Sequence, residues 1–186
     1  PPDGGLGGLY VPKDLVIGPG SPGHAGLQRS GDLAVFPATD ARGTELWKSD
    51  GTAAGTQILR DIVSGPGSSF PTLLAVGDDE LLFSATSSGV RQLWRTDGTR
   101  DGSFVIASVP TATTPALWWN GLLFFKGSDG STGNELWRSD LTAAGTLRVK
   151  DIATGVATSN IGWIVELNGA LLFEASGGGG GSGTGT

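Results

Sequence analysis

Three aspartates, Asp50, Asp97 and Asp140, each follow a tryptophan by three places and precede a threonine by two. Carboxylates beside hydroxyls are the oxygen donors of calcium sites. Such a site gathers about 6–8 oxygens, with several carboxylates in one short loop. Each stretch here offers one carboxylate, and Asp101 and Asp129 stand nearby but not at ligand spacing. The simpler chemistry is capping, since an Asp side chain bonds backbone N–H groups two residues on and a following Gly accepts positive φ. Capping is therefore the expected role of the three aspartates, and no metal is expected. Leu141 stands where the other two stretches carry Gly51 and Gly98. Either its φ is not positive or that turn is built differently, because a left-handed non-Gly residue costs about 1–2 kcal/mol.

Other reactive side chains are scarce. His24 is the single histidine, in Pro22-Gly23-His24-Ala25-Gly26, and there is no cysteine. Zinc–thiolate sites and thiol nucleophiles are excluded, and no serine sits in a nucleophile elbow. His24 reads as a surface loop residue, and neither catalytic residues nor a cofactor are expected. Asp14, Asp61 and Asp151 lie beside Lys13, Arg60 and Lys150, which reads as solvated charge that discourages edge-to-edge strand pairing. Trp118, Trp119 and Trp163 are candidate binding residues. They stack on a sugar ring, anchor a protein partner, or fill a narrow centre of the fold.

The elements that position these residues repeat. Glu45-Leu46-Trp47-Lys48-Ser49-Asp50-Gly51-Thr52 returns as Gln92 to Thr99 and again as Glu135 to Thr142. Trp47, Trp94 and Trp137 follow one another at intervals of 47 and 43 residues. Periods of roughly 40–50 residues belong to four-stranded propeller blades. The fold class expected is all-β, a β-propeller of four-stranded antiparallel blades. Its units are about 16–62, 63–109, 110–152 and 153–176, in a single domain over 1–176. In the second unit the strands are Thr72–Val76, Glu80–Ala85, Gln92–Arg95 and Ser103–Ala107. In the third unit the first strand is Ala116–Trp119 and the fourth Thr146–Lys150, and Trp163–Leu167 and Ala170–Ala175 begin the last unit. Asp78-Asp79 and Asn120-Gly121 join first strands to second, the latter a strong hairpin signal. First and second strands are apolar at nearly every position, which means burial on both faces. Leu46 then faces one neighbour and Trp47 the other, so that Trp47, Trp94 and Trp137 carry the cohesion between blades.

Leu9–Asp14 maps onto Thr56–Asp61 by the offset of 47, a fourth strand without its first three. The last blade is expected to be closed by residues 8–15, which removes exposed sheet edges. Its third strand falls in the tail 177–186, which holds seven Gly, one Ser and two Thr. By the Phe–Trp spacing of the first two units the tryptophan position lands on Thr184. The tail is either a flexible linker or a strand whose letters stand for unidentified side chains, ordered despite its composition. Four blades result, or an arc of a larger ring if the natural chain is longer.

Charge narrows the partners. Net charge is −6, from 12 basic and 18 acidic side chains, and the basic ones are scattered. A nucleic-acid surface needs them clustered, so nucleic acid is not expected. No apolar run approaches the ~20 residues of a membrane span, and no membrane insertion is expected. The chain opens on Pro1 with neither an initiator Met nor an apolar leader, which reads as a removed leader or a fragment.

The Glu45–Thr52 stretch and its copies, with the trailing Gly-Thr and Lys-Asp-Ile, resemble the bacterial ELWxxDGT repeat proteins, over nearly all of residues 9–176. The resemblance implies a propeller-like fold and an exported, cell-surface location, and no activity. The chain departs from the pattern at Gln92, Leu141 and Ala107-Ser108. The function expected is a non-catalytic interaction or structural module, or a subunit of a larger bacterial surface assembly, with protein partners. A glycan-binding lectin is the alternative, and an enzyme on a propeller scaffold a third reading.

Overall fold

In a computed structural model the described residues are 26–30, 32–77, 80–108, 112–177 and 182–185. Among them there is no helix, and hence none long and apolar enough to cross a membrane. The chain is all-β, built of antiparallel sheets in sequence order. The first sheet is β1 (Gln28–Ser30), β2 (Leu33–Asp40), β3 (Gly43–Ser49) and β4 (Gln57–Arg60). The second is β5 (Thr72–Val76), β6 (Leu81–Ser87), β7 (Val90–Thr96) and β8 (Phe104–Ala107). The third is β9 (Thr113–Trp119), β10 (Leu122–Gly127), β11 (Glu135–Ser139) and β12 (Leu147–Arg148). The fourth has three described strands, β13 (Ile164–Leu167), β14 (Ala170–Ser176) and β15 (Ser182–Gly185).

Each sheet is a meander joined by tight turns. Ser88-Gly89, Asn120-Gly121 and Asn168-Gly169 all have positive φ at both residues, the backbone that two-residue hairpins need to follow strand twist. A bulge interrupts the third-to-fourth strand ladder between Leu46 and Trp47, and at the same place between Leu93 and Trp94.

The expected burial on both faces is present where neighbouring sheets meet. Leu81, Leu82, Phe83, Ser84 and Ala85 of β6 are all buried. Leu46, Val35 and Leu59 of the first sheet pack with Leu81, Phe83 and Trp94 of the second. Leu82, Leu93 and Ile106 of the second pack with Leu123, Phe125 and Trp137 of the third. Phe124 and Leu136 of the third pack with Leu171 and Ala175 of the fourth. The repeat's Leu therefore faces the following sheet and its Trp the preceding one. Trp47 alternates with Leu46, so it points away from the second sheet, yet it is fully buried. First strands lie side by side in order, β1 by β5, β5 by β9 and β9 by β13.

Several expectations need adjusting. The third unit's fourth strand shrinks to Leu147–Arg148. Leu141 has φ of 69°, and its turn is nevertheless built like the others. The tail contributes a strand: Ser182–Gly185 pairs with β14, so this part is not a free linker. Phe173 meets Gly185, one place beyond the expected Thr184, as Phe125 meets Trp137 in the third sheet. Leu9–Asp14, His24 and Asp78-Asp79 lie outside the described residues.

Candidate functional site

The repeated turn folds each aspartate onto its own loop. Asp50 Oδ1 accepts the Thr52 N–H at 2.9 Å and the Thr52 hydroxyl at 2.7 Å. The Thr52 hydroxyl oxygen takes the Gly55 N–H, and the Ser49 and Thr56 hydroxyls bond beneath. Asp97 with Thr99 and Asp140 with Thr142 repeat the set. The threonine hydroxyl, then its N–H, holds each of these carboxyls below the ordinary range. A Cβ on Gly55, Gly102 or Gly145 would strike the side chain of the aspartate five residues earlier, so a larger residue there would push that carboxylate out of its cap. Among the described residues no three of His, Cys, Asp or Glu gather where a metal could bind.

A second repeated device has no counterpart in the sequence reading, which singled out no role for the motif's glutamate. Glu45 is fully buried and accepts the N–H groups of Ile62, Val63 and Ser69 and the Ser69 hydroxyl. It ties the connector after the first sheet to the entry of the second. Glu135 likewise accepts the N–H groups of Ile152 and Ala153 in the connector after the third sheet, while Ser159 at the entry of the fourth bonds to the Asn134 carbonyl instead. Burial pushes the Glu45 carboxyl above its ordinary value against the opposing pull of those bonds. A buried acid recurring at one repeat position was the available signal, since an unpaired buried carboxylate is prohibitively costly.

The tryptophans separate into two groups. Trp94 and Trp137 are buried in the cores between sheets, Trp94 stacked on Phe83 at 6.0 Å between ring centres. Trp118 packs on the core between the second and third sheets and lies against Gly77. Trp119 tilts against Phe124 and packs between the third and fourth. Alternation on β9 sends these two to opposite faces, so they do not form one platform. Trp163 precedes β13 and is 41 % exposed.

Polar groups converge on the outer edge of the first sheet instead. A groove of 380 Å³ runs along Gln57–Asp61 between Arg42 and Arg100. Arg42 donates Nε and Nη2 to Asp40 Oδ2, with a longer contact from Nε to Oδ1, and lies over the Trp47 ring at 5.5 Å. Arg60 lies over the Trp94 ring at 5.7 Å and donates to the carbonyls of Arg100 and Ser103. Arg60 is thus not the solvated edge charge that the sequence led one to expect; it bridges two sheets. Asp61 Oδ1 is buried with no hydrogen-bond partner.

No family model matches the chain. No curated protein sequence matches it either. Among solved structures it is similar to a puromycin hydrolase mutant crystallised in complex with PGG. The TM-score is 0.54 and the identity 18 %, over 86 % of this chain and 26 % of that one. The chain thus spans about a quarter of that protein's length. At this identity the likeness is one of fold alone.

Proposed function

We propose that the chain is a β-propeller module that acts without catalysis, as an interaction or structural unit outside a bacterial cell or as a subunit of a larger surface assembly. The observation that carries this reading is the internal use of the repeated polar groups. Asp50, Asp97 and Asp140 cap their own turns, and Glu45 and Glu135 hold connectors. A set of residues so committed has nothing left to turn a substrate over. Support for the ring comes from first strands in succession, from Leu and Trp facing opposite neighbours, and from full burial of Trp47. In this reading Leu9–Asp14 adds the fourth strand beside β15 and closes the fourth blade. The exterior location rests on the resemblance to ELWxxDGT proteins.

The lectin alternative requires an open aromatic platform, and the packing of Trp118 and Trp119 favours filling the centre. Fractionation of cells with cross-linking mass spectrometry tests the main reading. It is expected to place the protein in the exterior fraction, cross-linked to a distinct protein. Recovery from the cytosol, or steady hydrolysis of peptide, ester or glycoside substrates by the pure protein, would overturn it.

A further inference from the structure

The groove on the outer edge of the first sheet combines two features. Its floor is an open strand. β4 pairs with β3 on one side and, among the described residues, with nothing on the other. Alternate N–H and C=O groups along such an edge point outward unpaired, the template for an added strand. Its walls are cationic and held in place. Arg42 uses Nε and Nη2 on Asp40, which leaves Nη1. Arg60 uses Nη1 on two carbonyls, which leaves Nε and Nη2. Arg100 lines the far end. Guanidiniums braced by aromatic rings lose little freedom when they bind a carboxylate.

We propose that this edge binds an acidic peptide in extended form, which adds to β4 as an outer strand and sets carboxylates against Arg42, Arg60 and Arg100. The inference deepens the reading of the chain as an interaction module, and rests on it. A second copy of the chain is disfavoured as occupant, because its own copy of this groove would set Arg42, Arg60 and Arg100 against the same three arginines. An anionic polysaccharide would meet the arginines but leave the strand edge unused.

The test is fluorescence anisotropy of the whole protein with a fluorescein-labelled peptide of alternating glutamate and valine, about eight residues, a common strand length. Saturable binding that weakens as salt screens the charges is expected. Methylating alternate backbone nitrogens of the peptide should weaken it by about tenfold or more, because the ladder to β4 is lost. Arg100→Glu should weaken it by about tenfold or more through loss and reversal of a charged partner. Among the described residues the Arg100 backbone carbonyl, not its guanidinium, takes the bond from Arg60, so this variant leaves the fold intact, as unchanged tryptophan fluorescence would verify. Absence of saturable binding overturns the proposal. So does equal binding of the methylated peptide, or tighter binding of labelled heparin that Arg100→Glu abolishes. Any of these leaves the module reading standing, since cell fractionation and cross-linking do not depend on this edge.

Discussion

Glu45 shows how much one buried side chain holds. It accepts three backbone N–H groups and a hydroxyl; those of Ser69 also reach the Thr44 carbonyl, whereas the N–H groups of Ile62 and Val63 depend on the carboxylate. Each such loss costs about 1–3 kcal/mol. Glu45→Ala is therefore expected to destabilise by at least about 2 kcal/mol in urea denaturation, more than any surface substitution. Its titration and that of the turn aspartates have opposite signs. The Glu45 folded value is raised, so its ionisation penalises the fold, and stability grows as pH falls from above that value toward the ordinary ~4.3. The values of Asp50, Asp97 and Asp140 are depressed. Their contribution is complete above ~3.9 and is lost as pH falls through the folded values. Urea denaturation against pH should show a maximum in mild acid, with Glu45→Gln flattening the upper limb and the triple Asp→Asn variant the lower.

Two left-handed residues separate strain from packing. Phe70 has φ of 47° and is 62 % exposed, so its strain is offset by little burial. Asn160, with φ of 49°, stands at the matching entry of the fourth sheet. Phe70→Asn is expected to stabilise by about 1 kcal/mol. Leu141 has φ of 69° but packs on the core between the second and third sheets. There Leu→Gly relieves about 1–2 kcal/mol of backbone strain and forfeits a comparable burial term. The net change should be near zero, and thermal unfolding of the two variants checks the contrast.

At the scale of the element, the repeat position predicts energy better than residue type. Trp94 is buried against Phe83 and Arg60, so Trp94→Ala should cost about 3–5 kcal/mol. Trp163→Ala should cost well under that, because its ring is substantially exposed. β15 has only Ser, Gly and Thr to hold it beside β14. Its amides are expected to exchange with deuterium faster than those of β7, whose Leu93 and Trp94 are locked between sheets. The strands themselves were legible: Thr72–Val76 lies where the apolar run placed it. The shortened β12 was not legible, because a fourth strand has one ladder partner and its length depends on where that partner lets go. The Glu45 latch was hidden for a similar reason. Its acceptor role becomes visible only when Ile62, Val63 and Ser69, 17 to 24 residues away, are brought to it.

For the whole molecule the decisive question is closure. Val11 corresponds to Ile58 by the offset of 47, and Ile58 pairs with Trp47. Gly185 pairs with Phe173 as Trp47 pairs with Phe36. Closure of the ring as proposed would set Val11 opposite Gly185. The chain has no cysteine, so a Val11→Cys and Gly185→Cys pair reports on this contact without competition. Rapid intramolecular disulfide formation and a raised melting temperature are expected; only intermolecular cross-links would exclude closure through this strand.

The sequence by itself determined the unit: its period, its strand order, its capped turn and the two-sided burial of its apolar strands. These follow from local chemistry and from alternation, which need no knowledge of neighbours. Tertiary structure alone decided what the charged residues of that unit do. Glu45 became a latch and Arg60 a bridge lying over Trp94, because each role belongs to contacts between sheets that no spacing within one unit encodes.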